Sequence, residues 1–238
     1  MQHKQRNWNT LYQKAECVWG TQPDHLLLQN ASHIPDGPVL DLGVGEGRNA
    51  LFFAQKGHSV HGIDTSQAAV DKCLERAHQG GLAMTCAVQN LVDTEIEAES
   101  QALIISTMTL QFVKKSDSDD VILRIKQGLM PGGMVYITVF STENPGYQKL
   151  KRTQKEVEPN TFYFPKDNSY RHFFTREELL TPFSDFQLFD FSQAIGRDPG
   201  HPGAPDPHNH GSLTYLGQKP PVTHSPENVT IPHIFGTV

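Results

Sequence analysis

Cysteine is scarce in this sequence, a basic excess is missing, and no apolar run is long. The three cysteines, Cys17, Cys73 and Cys86, are an odd set at unrelated spacings with no C-x-x-C pair. That pattern fits neither a disulfide framework nor a structural zinc site, and makes the reducing cytoplasm the simplest setting. Lysine and arginine total 20 against 26 acidic residues, for a net charge of -6, and no basic run marks a face that would track a phosphate backbone. A nucleic-acid partner is therefore not expected. No continuous apolar stretch approaches the roughly 20 residues that cross a bilayer, and the first residues lead into no apolar leader segment. No membrane partner is expected either. The 238 residues, 37% of them hydrophobic, suit one α/β domain acting on a small molecule.

The most informative stretch is Val39-Leu40-Asp41-Leu42-Gly43-Val44-Gly45-Glu46-Gly47-Arg48-Asn49. An apolar run before Gly43 fits a buried parallel strand, and Ala50-Leu51-Phe52-Phe53-Ala54 begins an amphipathic helix. Glycines at alternate positions between them let a ligand lie against bare backbone at the helix start. The spacing is G-x-G-x-G, and Arg48 stands where the dinucleotide fingerprint G-x-G-x-x-G/A needs a small residue. Asp41 also places an acid inside the strand. Both departures favour S-adenosylmethionine over a nicotinamide dinucleotide as the cofactor.

Further along, strands and helices alternate. Ser59 to Asp64 reads as a second strand ending in an acid, Ala83 to Val88 as a third, Leu103 to Met108 as a fourth, and Met134 to Phe140 as a fifth after Pro131-Gly132-Gly133. Helices are expected from Gln67 to about His78 and from Val121 to Leu129. This is the pattern of a parallel sheet covered on both faces, which binds ligands outside the carboxyl ends of its strands. Asp64, 21 residues after Gly43, is placed to accept hydrogen bonds from the two hydroxyls of a ribose, and Asn90 after the third strand offers a donor and an acceptor to an adenine edge.

The segment before the first strand, residues 1–34, reads as two short helices forming a lid whose aromatics include Trp19. Residues 141–172 read as an irregular insertion ending in Arg171-His172, and such insertions in compact domains tend to be functional. A short helix with a capping box opens at Thr175, and Phe186 to Phe191 and Leu213 to Leu216 are candidate closing strands. Between them, residues 196–211 form a proline-stiffened loop carrying Arg197, His201, His208 and His210. His208 and His210 invite a metal reading, but no further ligand is fixed by spacing, so no metal is expected and substrate binding is preferred. Residues 219–238 read as a proline-rich arm or tail outside a single domain of residues 1–218.

Taken together, these motifs resemble the class I S-adenosylmethionine-dependent methyltransferases, and more closely their TehB-like, tellurite-resistance branch. Asp41-Leu42-Gly43-Val44-Gly45-Glu46-Gly47-Arg48-Asn49 is similar to that branch's DLG-C-G-x-GRN, with Val44 in place of the cysteine. Ser106-Thr107-Met108-Thr109-Leu110-Gln111-Phe112 is similar to its fourth-strand STVVLMF, and Pro131-Gly132-Gly133 to its PGG turn. The resemblance implies a Rossmann-like α/β fold: a seven-stranded, mostly parallel sheet with helices on both faces and the last strand antiparallel. It implies methionine on the Gly43, Gly45 and Gly47 loop beside Asp41 and Arg48, and ribose on Asp64 beside Thr65. Asn90 and Leu91 would meet the adenine, with Thr107 and Trp19 completing the cofactor shell. Arg171, His172, Arg197 and His201 are the candidates on the acceptor side. The expected activity is methyl transfer to a small soluble acceptor, a thiol or a chalcogen oxyanion such as tellurite or selenite. The alternatives are an NAD(P)-dependent oxidoreductase and a non-catalytic cofactor-binding protein.

Overall fold

Apolar strands that alternate in facing build a sheet with a core on each side. A computed structural model describes residues 8–165, 168–200, 204 and 206–221. Two short helices, α1 (Trp8–Lys14) and α2 (His25–Asn30), precede the sheet. Then β1 (Val39–Leu42), α3 (Arg48–Gln55), β2 (Val60–Asp64), α4 (Gln67–Gln79), β3 (Met84–Val88), β4 (Gln101–Thr107), α5 (Lys115–Gly128) and β5 (Leu129–Phe140) follow in alternation. After them come α6 (Pro145–Thr153), β6 (Glu156–Glu158), β7 (Thr161–Phe164), β8 (Ser169–His172), α7 (Arg176–Leu180), β9 (Gln187–Asp198) and β10 (His208–Gln218).

Seven strands form one sheet in the order β3-β2-β1-β4-β5-β10-β9. The pairs among β1 to β5 are parallel, and β10 is antiparallel to both β5 and β9. The expected Rossmann-like sheet with its last strand reversed is therefore the observed one. Period-two alternation divides the core: Leu40, Leu42, Ile104, Val135 and Ile137 pack on one face under α5 and α7, while Val39, Leu103, Ile105 and Tyr136 pack on the other with Ala50 and Phe53 of α3. Each such side chain, when fully buried, contributes about 1.5–3 kcal/mol. Asp41 is the exception, an acid only 3% exposed at a position the alternation gives to an apolar side chain.

Two expectations need correction. The insertion at residues 141–172 carries regular structure: Asn144 caps α6 by accepting the Gly146 N–H at 2.9 Å, and β6, β7 and β8 make a three-stranded antiparallel sheet. Its alternating aromatics are strand residues, with Phe162 buried against Phe173 and Tyr147. Residues 196–211 are likewise less loop than expected, since β9 runs to Asp198 and β10 starts at His208 in a long hairpin. Proline and glycine density hid these strands because antiparallel pairing extends to both sides of the turn. Of the expected tail, Lys219 still pairs with Gly132 and Gly133, and residues 222–238 lie outside the described residues. No helix among the described residues is long and apolar enough to cross a membrane.

Candidate functional site

At the carboxyl ends of β1 to β4 the strands stop and the chain turns outward, leaving a cavity of about 970 Å3. Gly43, Gly45, Arg48, Asp41, Asp64, Thr65, Asn90, Leu91, Thr107 and Trp19 all line it. Ten of the eleven residues expected in a cofactor shell thus come together; Gly47 does not. All three glycines have positive φ, at +86°, +53° and +86°, a region that costs other residues about 1–3 kcal/mol. Their free sides differ. A Cβ on Gly43 would run into Thr109, and one on Gly47 would lie 2.5 Å from the Cys73 Sγ of α4. Only at Gly45 is the nearest atom a flexible tip inside the cavity, the Tyr12 hydroxyl at 2.8 Å. The expectation that all three present bare backbone to a ligand is corrected: Gly47 is a packing position that lets α3 approach α4.

Two carboxylates set the charge of this end. Asp64 accepts the Gly45 N–H at 3.0 Å through Oδ2 and the Ser66 N–H at 2.9 Å through Oδ1. The helix-capping role belongs to Ser66, whose Oγ accepts the Ala69 N–H at 3.1 Å. Each Asp64 oxygen keeps a lone pair for a hydroxyl in the cavity. Burial raises its pKa, against the backbone hydrogen bonds that lower it. Asp41 is pushed up to about 7 by burial, with Arg48 opposing and Asp24 and Asp64 adding to the rise. A buried carboxyl this far from its usual value suits a cationic ligand group, which would restore its charge. Asn90 accepts the Val92 N–H on Oδ1 at 3.3 Å, and that oxygen has a second lone pair.

The amino-terminal segment closes over this floor. Glu46, only 3% exposed, accepts the Val18 N–H at 2.7 Å and pairs with Lys72 at 3.3 Å and Arg76 at 3.8 Å. Lys72 also donates to the Ala15 carbonyl. Asn9 of α1 accepts the Ala68 N–H at 2.7 Å at the start of α4. Trp19 donates from Nε1 to the Tyr12 hydroxyl at 3.1 Å, so the lid aromatics meet over Gly45. Arg48 is tied to the same segment by an ion pair with Asp24 at 2.6 Å.

Across the cavity stands a wall of different character. Arg171 of β8 lines it, its guanidinium 5.1 Å from the Phe164 ring centre and 5.5 Å from that of Phe112. Gln111 lines it too, fully buried, with neither amide atom hydrogen-bonded within the protein. Asp198, His208 and His210 complete this side. The other acceptor candidates divide. His172 is fully buried, its Nδ1 2.9 Å from Thr161 Oγ1 and its Nε2 3.6 Å from Glu178, so it fastens the small sheet to α7 and does not reach the cavity. Glu178 is held below its usual pKa: burial alone would raise it, and His172, the Thr175 N–H and Lys115 outweigh that. Arg197 lines a neighbouring cavity of about 450 Å3 that shares Arg48, Thr107, Met108, Asp198 and His210 with the main one. His201 lies outside the described residues. Sequence reading assigned no role to Gln111, although a lone amide inside the apolar run Leu110 to Val113 was a visible signal.

With the geometry in hand, comparison places the chain among known proteins. A family model described as "Methyltransferase domain" matches residues 39–133. The carboxy-S-adenosyl-L-methionine synthase of Pasteurella multocida is 33% identical over 106 residues, which is 42% of this chain and 43% of that protein. This chain therefore spans less than half the length of that relative. Two solved structures share the fold at 20% identity each: TehB from Haemophilus influenzae, TM-score 0.63 over 82% of this chain and 62% of that one, and an S-adenosylmethionine-dependent methyltransferase from Methanosarcina mazei, TM-score 0.67 over 84% and 100%.

Proposed function

We propose that this chain, a class I S-adenosylmethionine-dependent methyltransferase, transfers a methyl group to a small soluble acceptor that reacts as an anion, a thiol as its thiolate or a chalcogen oxyanion such as tellurite or selenite. S-adenosylmethionine is the cofactor, and when bound it supplies an electrophilic methyl group on a sulfonium. The observation that carries the reading is that one continuous cavity is lined both by Asp41, Asp64 and the glycine turn and by Arg171, Gln111, His208 and His210, with Asp198 beside the histidines. Its volume, about 970 Å3, lies at the top of the roughly 300–1,000 Å3 range of ligand pockets, which leaves space for an acceptor beside a cofactor.

Roles for the chain's own residues follow from this division. Asp64 would hold the ribose hydroxyls, Asn90 and Leu91 the adenine, and Asp41 with the Gly45 backbone the methionine end. Arg171 would hold an oxyanion or thiolate with parallel N–H donors, and Gln111 offers one donor and one acceptor from a fixed, water-poor position. Trp8, Tyr12 and Trp19 also line the cavity and would cover a bound cofactor. Holding a nucleophile in line with the methyl group is most of the catalytic task, so an acceptor that is already an anion needs no strong base.

The test is a mass-shift screen with thiols, selenite and tellurite as acceptors and S-adenosylmethionine as donor. A methylated acceptor with matching S-adenosylhomocysteine supports the reading, and loss of turnover in Arg171→Ala with retained S-adenosylhomocysteine affinity would place the acceptor. Because a curated relative is named as a carboxy-S-adenosyl-L-methionine synthase, the same spectra report on the cofactor. A parallel incubation that also offers a carboxylic acid as carboxyl donor completes the test: a mass gain on S-adenosylmethionine there, with no methylated acceptor in either incubation, would overturn the methyl-transfer proposal.

A further inference from the structure

We infer that Asp198, His208 and His210 form a binding site for a single first-row divalent metal ion, zinc in the first instance, on the acceptor side of the cavity. Hairpin register creates it. His208 lies directly opposite Asp198 across the β9–β10 pair, and His210 follows two residues later on the same face. A carboxylate oxygen and two imidazole nitrogens thereby converge, all within 4.8 Å of one another, and they are such a group among the described residues. His208 Nε2 and His210 Nε2 are 2.8 Å apart, and His210 Nε2 is 3.6 Å from Asp198 Oδ2. An ion about 2.0–2.1 Å from each nitrogen has neighbouring ligand atoms about 2.9 Å apart at a right angle and about 3.4 Å apart at the tetrahedral angle. The observed separations straddle that range, so small side-chain rotations seat the ion.

The second observation is that both rings are already oriented. His208 Nδ1 lies 2.8 Å from the Asp206 carbonyl, which can only accept, so Nδ1 carries the proton and Nε2 presents its lone pair to the site. The His210 ring is stacked on Phe140, with centres 5.0 Å apart and planes at 21°. Among the described residues the site supplies two imidazoles and one carboxylate, the donor set of metal centres whose remaining coordination positions bind a further ligand. All three residues line the cavity that also holds Arg171 and Gln111, so such positions would be filled from the space given to the acceptor. A thiolate sulfur or an oxyanion oxygen, its proton already lost to solvent, would occupy one of them. The role in acceptor binding rests on the proposed methyl transfer; the metal site itself does not.

The experiment uses the full chain, free of any affinity tag and stripped by chelator. Titration with Zn2+ by calorimetry, and with Co2+ by visible absorption, should show one ion per chain. Removing a ligand should weaken Zn2+ at least as much as losing a supporting partner does, about 10–100-fold, so His208→Ala and His210→Ala should each exceed about a hundredfold. Asp198→Asn should weaken it less. S-adenosylhomocysteine affinity should stay within about threefold in all three, showing them folded. Absence of Zn2+ and Co2+ binding by the wild type, or equal binding by the double histidine variant, overturns the site. Zinc lost with the histidines while no acceptor is methylated would keep the site and remove the methyl-transfer reading; methylation with no ion bound would do the reverse.

Discussion

At the scale of single residues, buried acids give the sharpest expectation. Asp41, pushed up to about 7 by burial, holds a proton in the free protein below neutrality. The sign follows from linkage: the native state binds more protons than the unfolded chain between about pH 4 and pH 7, so Asp41 lowers stability as pH rises through that window. A ligand that brings a cationic group to Asp41, as the α-ammonium of S-adenosylhomocysteine would, reverses the preference. Affinity for S-adenosylhomocysteine should therefore fall by up to about tenfold per pH unit below 7 and level off above it. Calorimetry in buffers of different ionisation enthalpy should show proton release at pH 6 that Asp41→Asn abolishes; pH-independent binding by the wild type would detach Asp41 from the ligand. The glycines separate two effects. Gly45→Val should block S-adenosylhomocysteine binding in a folded protein. Gly47→Ala, at φ +86° and with Cys73 Sγ 2.5 Å from the new Cβ, should instead cost about 1–3 kcal/mol of stability, read by denaturant titration. Asp64→Ala should weaken the same ligand by about 1–3 kcal/mol, the worth of hydrogen bonds to a charged acceptor.

Beyond the apolar core, buried polar groups also join one element to another, and Glu46 is the clearest case. It sits in the glycine turn after β1, yet what it holds is the lid, through the Val18 N–H and the cations of α4. Glu46→Ala leaves the sheet intact and loosens residues 8–24. Amide exchange in that segment should rise while β1 and β4 stay protected, and S-adenosylhomocysteine should dissociate about tenfold faster, the consequence of losing about 1.4 kcal/mol of closure. Unchanged exchange there would show that the aromatic contacts of Trp8 and Tyr12 suffice without it. His172, expected from sequence to touch an acceptor, works between elements instead, bonded to Thr161 of β7 and facing Glu178 of α7.

For the whole molecule, cofactor occupancy and stability are one quantity measured two ways. Ligand at about a hundred times its dissociation constant adds about 2.7 kcal/mol. In a domain of this size that should raise Tm by about 5–10 °C. S-adenosylhomocysteine should produce that shift and NADH none; the reverse would revive the oxidoreductase alternative. The sheet carries the reason, because Arg48 occupies the position where a dinucleotide turn needs close helix packing, and it is engaged with Asp24.

Much of this molecule was fixed by local pattern. Parallel strands such as Val39–Leu42 and Gln101–Thr107 announce themselves as apolar runs because both their faces are buried, and Gly43 to Gly47 followed by Asp64 marks the binding crevice because backbone approach and charge each demand particular residue types at particular steps. That ten of the eleven residues expected in a cofactor shell line one cavity was therefore legible in the sequence. The acceptor end was not. Gln111 lines the cavity from the turn after β4, and His172 misses it because the strand pairing of β7 with β8 turns that side chain toward α7. Asp198 meets His208 and His210 through antiparallel register across an interval of ten residues, a spacing that carries no signal until the hairpin closes. Sequence determines what each segment buries; which polar side chains share one point in space is decided when non-local strands pair.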